Sequence, residues 1–348
     1  MTAMLPPRAT MKDVAALAGV SIKTVSNVVT GAVAVREETR TRVESAMAQL
    51  DFVPNLSARG LRKGRSGIIA VALPDLASAF SAELVQHIVE AAHERGLAVQ
   101  IEETASVPER EKELVSRARA RLVDGLILNP IRLEDSVLKY ADRLPPLVVI
   151  GEVEQNRADH VRIDSRRAAA DATRHVLSRG ATRIAVVGAD DDPAAATATS
   201  RLRLEGVHDA LREAGIARDP ALEINPLHWA ATGGADAVRT LYERRVAFDA
   251  IIAFTDALAL GALHALHERG VSVPGDVIVT GFDDIEFSRF ASPALTTIAF
   301  ERRAVADAAL GLLESRIDDR GAAPRGVTLP HRLEERASTQ GRPRGYRP

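Results

Sequence analysis

The stretch from Gly19 to Gly31 reads GVSIKTVSNVVTG. Val25, Val28 and Val29 fall on one face of a short helix, at the spacing that buries an apolar stripe. Ile22, Lys23 and Asn27 then point the other way, where chemistry is possible. A lysine ammonium can donate to guanine O6 and N7, and an asparagine amide carries the donor–acceptor pair that matches adenine N6 and N7. Ile22 offers apolar contact alone, for example to a thymine methyl. Ser21, Thr24 and Ser26, with Thr10 upstream, are short donors suited to phosphate oxygens, which position a protein on DNA without reading sequence. A second set of reactive types, the adjacent acids Asp283 and Asp284, could serve as acid and base. Neighbours on a tight loop point apart, however, and no nucleophile, metal cluster or phosphate loop accompanies them.

The elements that must position these residues divide the chain in two. Residues 1–66 hold ten Lys/Arg against five Asp/Glu, a charge of +5, whereas the remainder carries −7 within a net −2. A basic head on an acidic body suits a polyanionic partner for the head. Hydrophobic residues make up 46% and charged residues 26% of the 348 positions, so two or three globular units are expected. Cys is absent, which removes disulfides, thiolate metal sites and cysteine nucleophiles together. No export signal is visible in MTAMLPPRATMKD and no run is long enough to span a bilayer, so a cytoplasmic protein without membrane partners is expected.

In the head, Thr10 caps a helix over 11–18 with Asp13 three residues on, and Gly19 ends it. Ser21 caps a second helix over about 22–29, and a third runs over about 37–50 with Val43, Met47 and Leu50 on one face. This is helix-turn-helix spacing. Pro54 stops the unit. The segment to Ser66, rich in basic residues and glycine, reads as a linker or a marginal helix.

Beyond it, apolar runs over 67–73, 124–129, 146–151, 183–188, 249–254 and 276–282 read as buried strands alternating with amphipathic helices. One helix, over 82–95, places Leu84, Val85, Ile88, Val89 and Ala92 on a single face. Such alternation predicts parallel sheets covered on both sides. The repeats suffice for two doubly wound subdomains, with HVRIDS (160–165) crossing between them. Ligands in such folds bind beyond the strand carboxyl ends.

The motifs DVAALAGVSIKTVS, ARGL, DGLIL, RIAVVG, RLEG, VPGDVIVTGFDD, SPALTTI and RASTQ together resemble the LacI/GalR family of bacterial transcriptional regulators, over about residues 10–340. The resemblance implies a helix-turn-helix head (1–53), a hinge helix (54–66) and a periplasmic-binding-protein-like core (67–340). It places the N-subdomain at about 67–163 and 292–325, the C-subdomain at about 164–291 and 326–340, and a disordered tail at 341–348. It assigns base reading to Ile22, Lys23 and Asn27, and insertion into the minor groove to Leu61, with Ala58 one turn before. Gly60 costs that hinge helix about 1 kcal/mol against alanine, so order without DNA is not expected.

In the cleft, the resemblance assigns effector binding to Arg203, Asp283, Trp229 and Asp256, where Thr255 replaces the usual Asn. It adds Asp75, Phe80, Glu152 and Phe300. Phe80 is followed by Ser81 rather than a second aromatic, and the acidic position after the fourth strand is Gly151, with Glu152 beside it. The implied function is a repressor that binds a palindromic operator as a homodimer under control of a small molecule, a sugar or sugar derivative. No cofactor, metal or enzymatic activity is implied. A tetramer is left open beside the dimer, although no heptad tail follows Thr339 to build one as a coiled coil. The competing function is that of a solute-binding protein without a DNA role, against which the basic head argues.

Overall fold

The computed structural model describes residues 9–30, 33–52, 65–132, 136–141, 143–190, 192, 196–341 and 343–344. Ala58, Gly60 and Leu61 lie outside the described residues. By internal contacts the chain divides into two compact units between Gly67 and Ile68.

The first unit holds α1 (Met11–Ala18), α2 (Ile22–Thr30) and α3 (Glu37–Gln49). Thr10 and Asp13 close a reciprocal capping box: the Thr10 N–H donates to Asp13 Oδ2 at 2.8 Å, and the Asp13 N–H to Thr10 Oγ1 at 3.4 Å. That satisfies two of the free amides at the start of α1. Gly19, at φ +64°, ends the helix in the left-handed conformation that glycine adopts without strain. Val14, Ala15, Ala18, Val25, Val43 and Ala46 form a small core, against which Val28, Val29, Met47 and Leu50 pack half-buried.

The second unit contains two six-stranded sheets. Its elements run β1 (Ile68–Leu73), α4 (Ala79–Glu94), β2 (Ala98–Glu103), α5 (Pro108–Arg119), β3 (Gly125–Leu128), α6 (Val137–Tyr140), β4 (Leu147–Ile150) and β5 (Asp159–Ile163). There follow α7 (Ser165–Ser178), β6 (Ile184–Val187), α8 (Ala198–Glu213), β7 (Glu223–Ile224), α9 (Ala231–Glu243), β8 (Ala250–Ala253), α10 (Asp256–Glu268) and β9 (Ile278–Phe282). The last are α11 (Glu286–Phe290), β10 (Thr296–Ala299), α12 (Arg302–Asp318), β11 (Gly326–Leu329) and β12 (Arg332–Glu334).

The first sheet has the order β11-β5-β4-β3-β1-β2 and the second β12-β10-β9-β8-β6-β7. All pairs are parallel except β10–β12. The central strands are buried on both faces, as crossover helices on either side require. No helix among the described residues is long and apolar enough to cross a membrane.

The strand pairing corrects the subdomain boundaries. β10, in the 292–325 segment expected in the N-subdomain, pairs with β9 and belongs to the second sheet. β11, expected in the C-subdomain, lies beside β5, with Gly326 opposite His160 and Leu329 opposite Ile163. Only α12 between them packs on the first sheet, through Val305, Ala309 and Leu313. The chain therefore crosses after Ile163, between β10 and α12, and between β11 and β12. The helix over 79–94 also buries a slightly different face: Ala91 is fully buried while Val89 is 38% exposed. Gly341, Pro343 and Arg344, in the segment expected to be a disordered tail, are described. The Arg344 N–H donates to the Gly275 carbonyl at 3.1 Å.

Beside the second sheet, α9 and α10 cross at near backbone contact. A Cβ on Gly234 would lie 1.9 Å from the Leu258 carbonyl oxygen, and one on Gly261 would lie 1.8 Å from that of Ala231. Separating the helices to admit a methyl group disturbs a close-packed interior. Gly261→Ala is expected to destabilise the protein by about 2–3 kcal/mol. Gly311→Ala, where a Cβ meets nothing within 4 Å, is expected to stabilise by about 0.5–1 kcal/mol through helix propensity. Thermal unfolding of the two variants checks both signs.

Candidate functional site

In the head, α2 presents what its sequence period predicts. Val25 is fully buried, whereas Ile22 is 47% exposed. Lys23 is exposed and Asn27 half-buried. The Ser21 hydroxyl accepts the Thr24 N–H at 3.1 Å and lies 2.9 Å from Thr24 Oγ1, so the helix start is capped and both hydroxyls remain at its exposed end. Ser26 is half-buried, and Thr10 is occupied in the capping box. The unit thus holds a rigid helix whose outer face carries two amide- or ammonium-bearing side chains.

The core unit contains a cavity of about 420 Å³ between the carboxyl ends of the two sheets' strands, where doubly wound folds place ligands. The first lobe supplies Asp75 and Phe80 after β1, Asn129 after β3, and Gly151 and Glu152 after β4. The second lobe supplies Thr199 and Arg203 on α8, Trp229 before α9, Thr255 after β8 and Asp283 after β9. Phe300, after β10, completes the wall and meets Phe80 edge-on, with ring centroids 6.0 Å apart at 63°. Trp229 is half-buried against Phe254, at 6.4 Å between centroids. These walls offer apolar faces to a flat or ring-shaped ligand.

The polar end is organised around Arg203, which is 5% exposed. Its guanidinium lies over the Phe282 ring at 3.4 Å from the centroid. Nη1 donates to the Phe254 carbonyl, and Nε to Ser165 Oγ at 3.4 Å. Nη2 reaches Glu152 Oε1 at 3.5 Å and Asp283 Oδ1 at 4.0 Å. Glu152 also accepts from Ser165 Oγ, and from Thr199 Oγ1 at 2.6 Å. Burial pushes the Glu152 carboxyl up, but the Arg203 charge and the hydrogen bonds from Ser165, Thr199 and Arg203 outweigh it. Together they hold the group below its ordinary value.

Asp283 behaves oppositely. Burial drives its carboxyl well above the usual range, opposed by Arg203 and Arg302 and reinforced by Asp256 and Glu152. Its backbone sits at φ +113°, a conformation a non-glycine residue adopts only when held there. The Asp283 N–H bonds the Ile298 carbonyl at 2.9 Å, and Arg302 Nη2 donates to the Asp283 carbonyl. Arg302 is itself paired with Glu83 of α4 at 3.1 Å. Among the described residues, no hydrogen bond reaches the Asp283 side chain.

Of the predicted effector residues, the structure brings Asp75, Phe80, Glu152, Arg203, Trp229, Asp283 and Phe300 to the cavity. Asp256 is the exception and requires correction. It is fully buried, and the cavity is lined by its neighbours Thr255 and Ala257 instead. Its Oδ2 accepts the Ile285 N–H at 2.9 Å and Ser288 Oγ at 2.6 Å, and its Oδ1 accepts Thr297 Oγ1 at 2.5 Å. It ties down the loop that carries Asp283 and Ile285 rather than facing a ligand. Asn129, Ser165 and Thr199 were missed. Each lies just beyond a recognisable strand or at a helix start, so position alone could have marked Asn129 and Ser165.

A helix-turn-helix head joined to a two-lobed α/β core is the architecture of a DNA-binding transcriptional regulator. Residues 10–55 match the family described as bacterial regulatory proteins, lacI family, and residues 173–339 match the periplasmic binding protein-like domain. The chain is 31% identical over 338 residues to the transcriptional repressor CytR of Escherichia coli K12, covering 96% of this chain and 97% of that protein. It is 34% identical over 297 residues to the transcriptional regulator DegA of Bacillus subtilis, covering 84% and 86%. A Lac repressor dimer bound to operator and the anti-inducer ONPF superposes with a TM-score of 0.82 at 28% identity, covering 96% and 99% of the two chains. The chain belongs to the LacI family of bacterial transcriptional regulators.

The Asp256 environment makes stability depend on pH. Burial raises its carboxyl to about 6, the three hydrogen bonds lower it, and the Asp284 charge adds to the rise. Between the unfolded value near 4 and about 6, the native state alone keeps the proton, so this group's contribution falls as pH rises, by about 3 kcal/mol in full. Asp256→Asn does not titrate. Its stability deficit against the wild type is therefore expected to be larger at pH 4 than at pH 7, by up to that amount, in urea melts at the two pH values. Asp256→Ala abandons three buried donors and is expected to cost about 3 kcal/mol or more at pH 7.

Proposed function

We propose that the protein is a repressor that binds a palindromic operator as a cytoplasmic homodimer, its affinity set by a sugar-type small molecule in the interlobe cavity. The observation that carries the effector half is the Asp283 carboxyl: buried, without a hydrogen-bond partner among the described residues, and facing a cavity of about 420 Å³. The carboxyl keeps a little accessibility from the cavity and stands 4.0 Å from Arg203, so a ligand hydroxyl can supply the hydrogen bond that the protein does not. The volume lies in the range of small-molecule sites, and a few polar groups against apolar walls are their usual composition. Hydroxyls suit the Asp283, Asn129 and Thr199 cluster, while a sugar ring's C–H face suits Trp229 and the Phe80–Phe300 pair.

The DNA half rests on Ile22, Lys23 and Asn27 as the outward face of α2, with Ser21, Thr24, Ser26 and Thr10 toward phosphates. Two copies related by a two-fold axis place two such helices on symmetric half-sites. Ala58 and Leu61 are assigned to the minor groove, where an apolar wedge costs a few kcal/mol of unstacking that the kinked site's added contacts offset. Effector and operator then share a reciprocal coupling of about 1–3 kcal/mol.

Gel-shift titrations on palindromes selected from a random DNA pool test this. Asn27→Ala is expected to weaken binding to the selected palindrome about 5- to 150-fold, the cost of about 1–3 kcal/mol for a base pair no longer read. Its salt-sensitive binding to random DNA should stay within twofold, because phosphate contacts dominate there. Equal losses on both DNAs would remove Asn27 from base reading. Absence of any palindrome preference in the full chain would remove the repressor function itself.

A further inference from the structure

The cavity's cation is already answered from across the cleft. Arg203 belongs to α8 of the second lobe, and Glu152 to the loop after β4 of the first. With its side chain only 10% exposed, Glu152 turns one oxygen to Thr199 and the other to Ser165 and Arg203. Its position in the chain is forced. Gly151 sits at φ +107°, and a Cβ there would lie 2.6 Å from Asn129 Nδ2. An acid at 151 would therefore be strained and would have to displace the Asn129 amide, whereas the acid at 152 reaches over to the facing lobe.

The other two nitrogens of Arg203 are engaged as well. Nη1 holds the Phe254 carbonyl, Nε points to Ser165, and one face of the guanidinium rests on Phe282. Asp283 stands 4.0 Å away on its other side. Two carboxyls thus flank one guanidinium at the polar end of the cavity. The other charged residues that line it are Asp75 and Arg162, both exposed, and Arg162 Nε is directed at Thr328 Oγ1 at 3.4 Å.

Building on the effector site proposed above, we infer that Glu152 is a specificity-determining residue: by neutralising Arg203 from the opposite lobe, it restricts the effector to uncharged, hydroxyl-rich molecules and excludes their phosphorylated or carboxylated counterparts. An incoming phosphate or carboxylate meets no unpaired positive charge beside Arg203 and approaches the Glu152 carboxylate at short range, where like charges repel strongly in a site shielded from water. A neutral hydroxyl can instead donate to Thr199 Oγ1 or accept from the Asn129 amide and share a hydrogen bond with Asp283 without displacing the Glu152–Arg203 pair. Removing the Glu152 charge alone should invert this preference, because a buried guanidinium left without its partner attracts an anion.

The test compares the full-length wild type with Glu152→Gln, which keeps an oxygen for Ser165 or Thr199 but loses the charge. Thermal shifts are measured with inorganic phosphate and with a panel of neutral mono- and disaccharides beside their 6-phosphates and uronic acids, followed by calorimetry on each responder. Millimolar phosphate is expected to raise the Tm of Glu152→Gln and leave the wild type unmoved. Anionic sugars should gain at least tenfold in affinity in the variant, while a neutral responder changes less than threefold. Glu152→Gln/Arg203→Met should lose the gain, which places the anion at Arg203.

A wild type that responds to phosphate or to a 6-phosphate as strongly as to the neutral sugar overturns the inference. So does a folded Glu152→Gln that gains no anion response. Should Glu152→Gln fail to fold, the small and neutral Glu152→Ser runs the same comparison. If no sugar of either kind shifts the wild type, the sugar class of effector fails, while the inorganic phosphate arm still decides the role of Glu152.

Discussion

One buried guanidinium governs the arrangement of the core. Taking Arg203 out of water is costly unless its charge is paired and its donors are satisfied. The chain meets that demand with groups from both lobes: the Phe254 carbonyl and the Phe282 ring from the second, and Glu152 from the first. Ser165, at the crossover between them, accepts from Arg203 and donates to Glu152. Because neither lobe satisfies the charge alone, their facing edges are tied through the floor of the cavity. Breaking that tie by separation would leave two partly desolvated ions, so the lobes have an electrostatic reason to stay near each other in addition to the three chain crossings.

Around this centre, the second lobe is stiffened from behind. Asp256 collects the Ile285 N–H, Ser288 and Thr297, which fixes the turn in which Asp283 holds its positive φ. Asp284, buried like its neighbour, is clamped by Arg336 and Arg289. Two adjacent acids therefore do different work: Asp284 is spent on those ion pairs, whereas Asp283 lines the cavity beside Arg203 and accepts no hydrogen bond among the described residues. The close crossing of α9 and α10 holds the loops that begin them, and those loops carry Trp229 and Thr255. A site built in this way is preorganised by packing that never touches the ligand.

Much of this was legible in the sequence because it is periodic or follows from motif position. The valine stripe of α2 fixed which of its residues face outward, and the apolar runs marked the central strands. Edge strands were missed because they lack that signature: β2 is half-exposed along AVQIEE, and β7 has two residues. The exchange of β10 and β11 between sheets was invisible for another reason. A strand's membership depends on which neighbour it bonds across long sequence separation, and SPALTTI and GVTL carry no mark of that. Asp256 shows the same limit at a single residue. Its neighbours on both sides line the cavity, but the first turn of α10 rotates its own side chain inward.

The contacts between the lobes also decide how a bound molecule could act. Besides Glu152 with Thr199 and Arg203, one edge carries Arg201 with Glu154 at 3.1 Å and the Ala198 N–H on the Ile131 carbonyl at 3.3 Å. At the other, the Glu286 N–H donates to Glu83 at 2.9 Å. The lobes are thus joined on both sides of the cavity by direct bonds between protein groups. A molecule can shift this arrangement only by the difference in its affinity for the joined and parted forms. One that inserts between Glu152 and Thr199 replaces a bond between the lobes and favours parting. One that bridges Asp283 to Asn129 adds a bond and favours joining. The sign of the response is therefore set by which of these few hydrogen bonds the effector displaces and which it adds, and the strength with which it binds does not determine it.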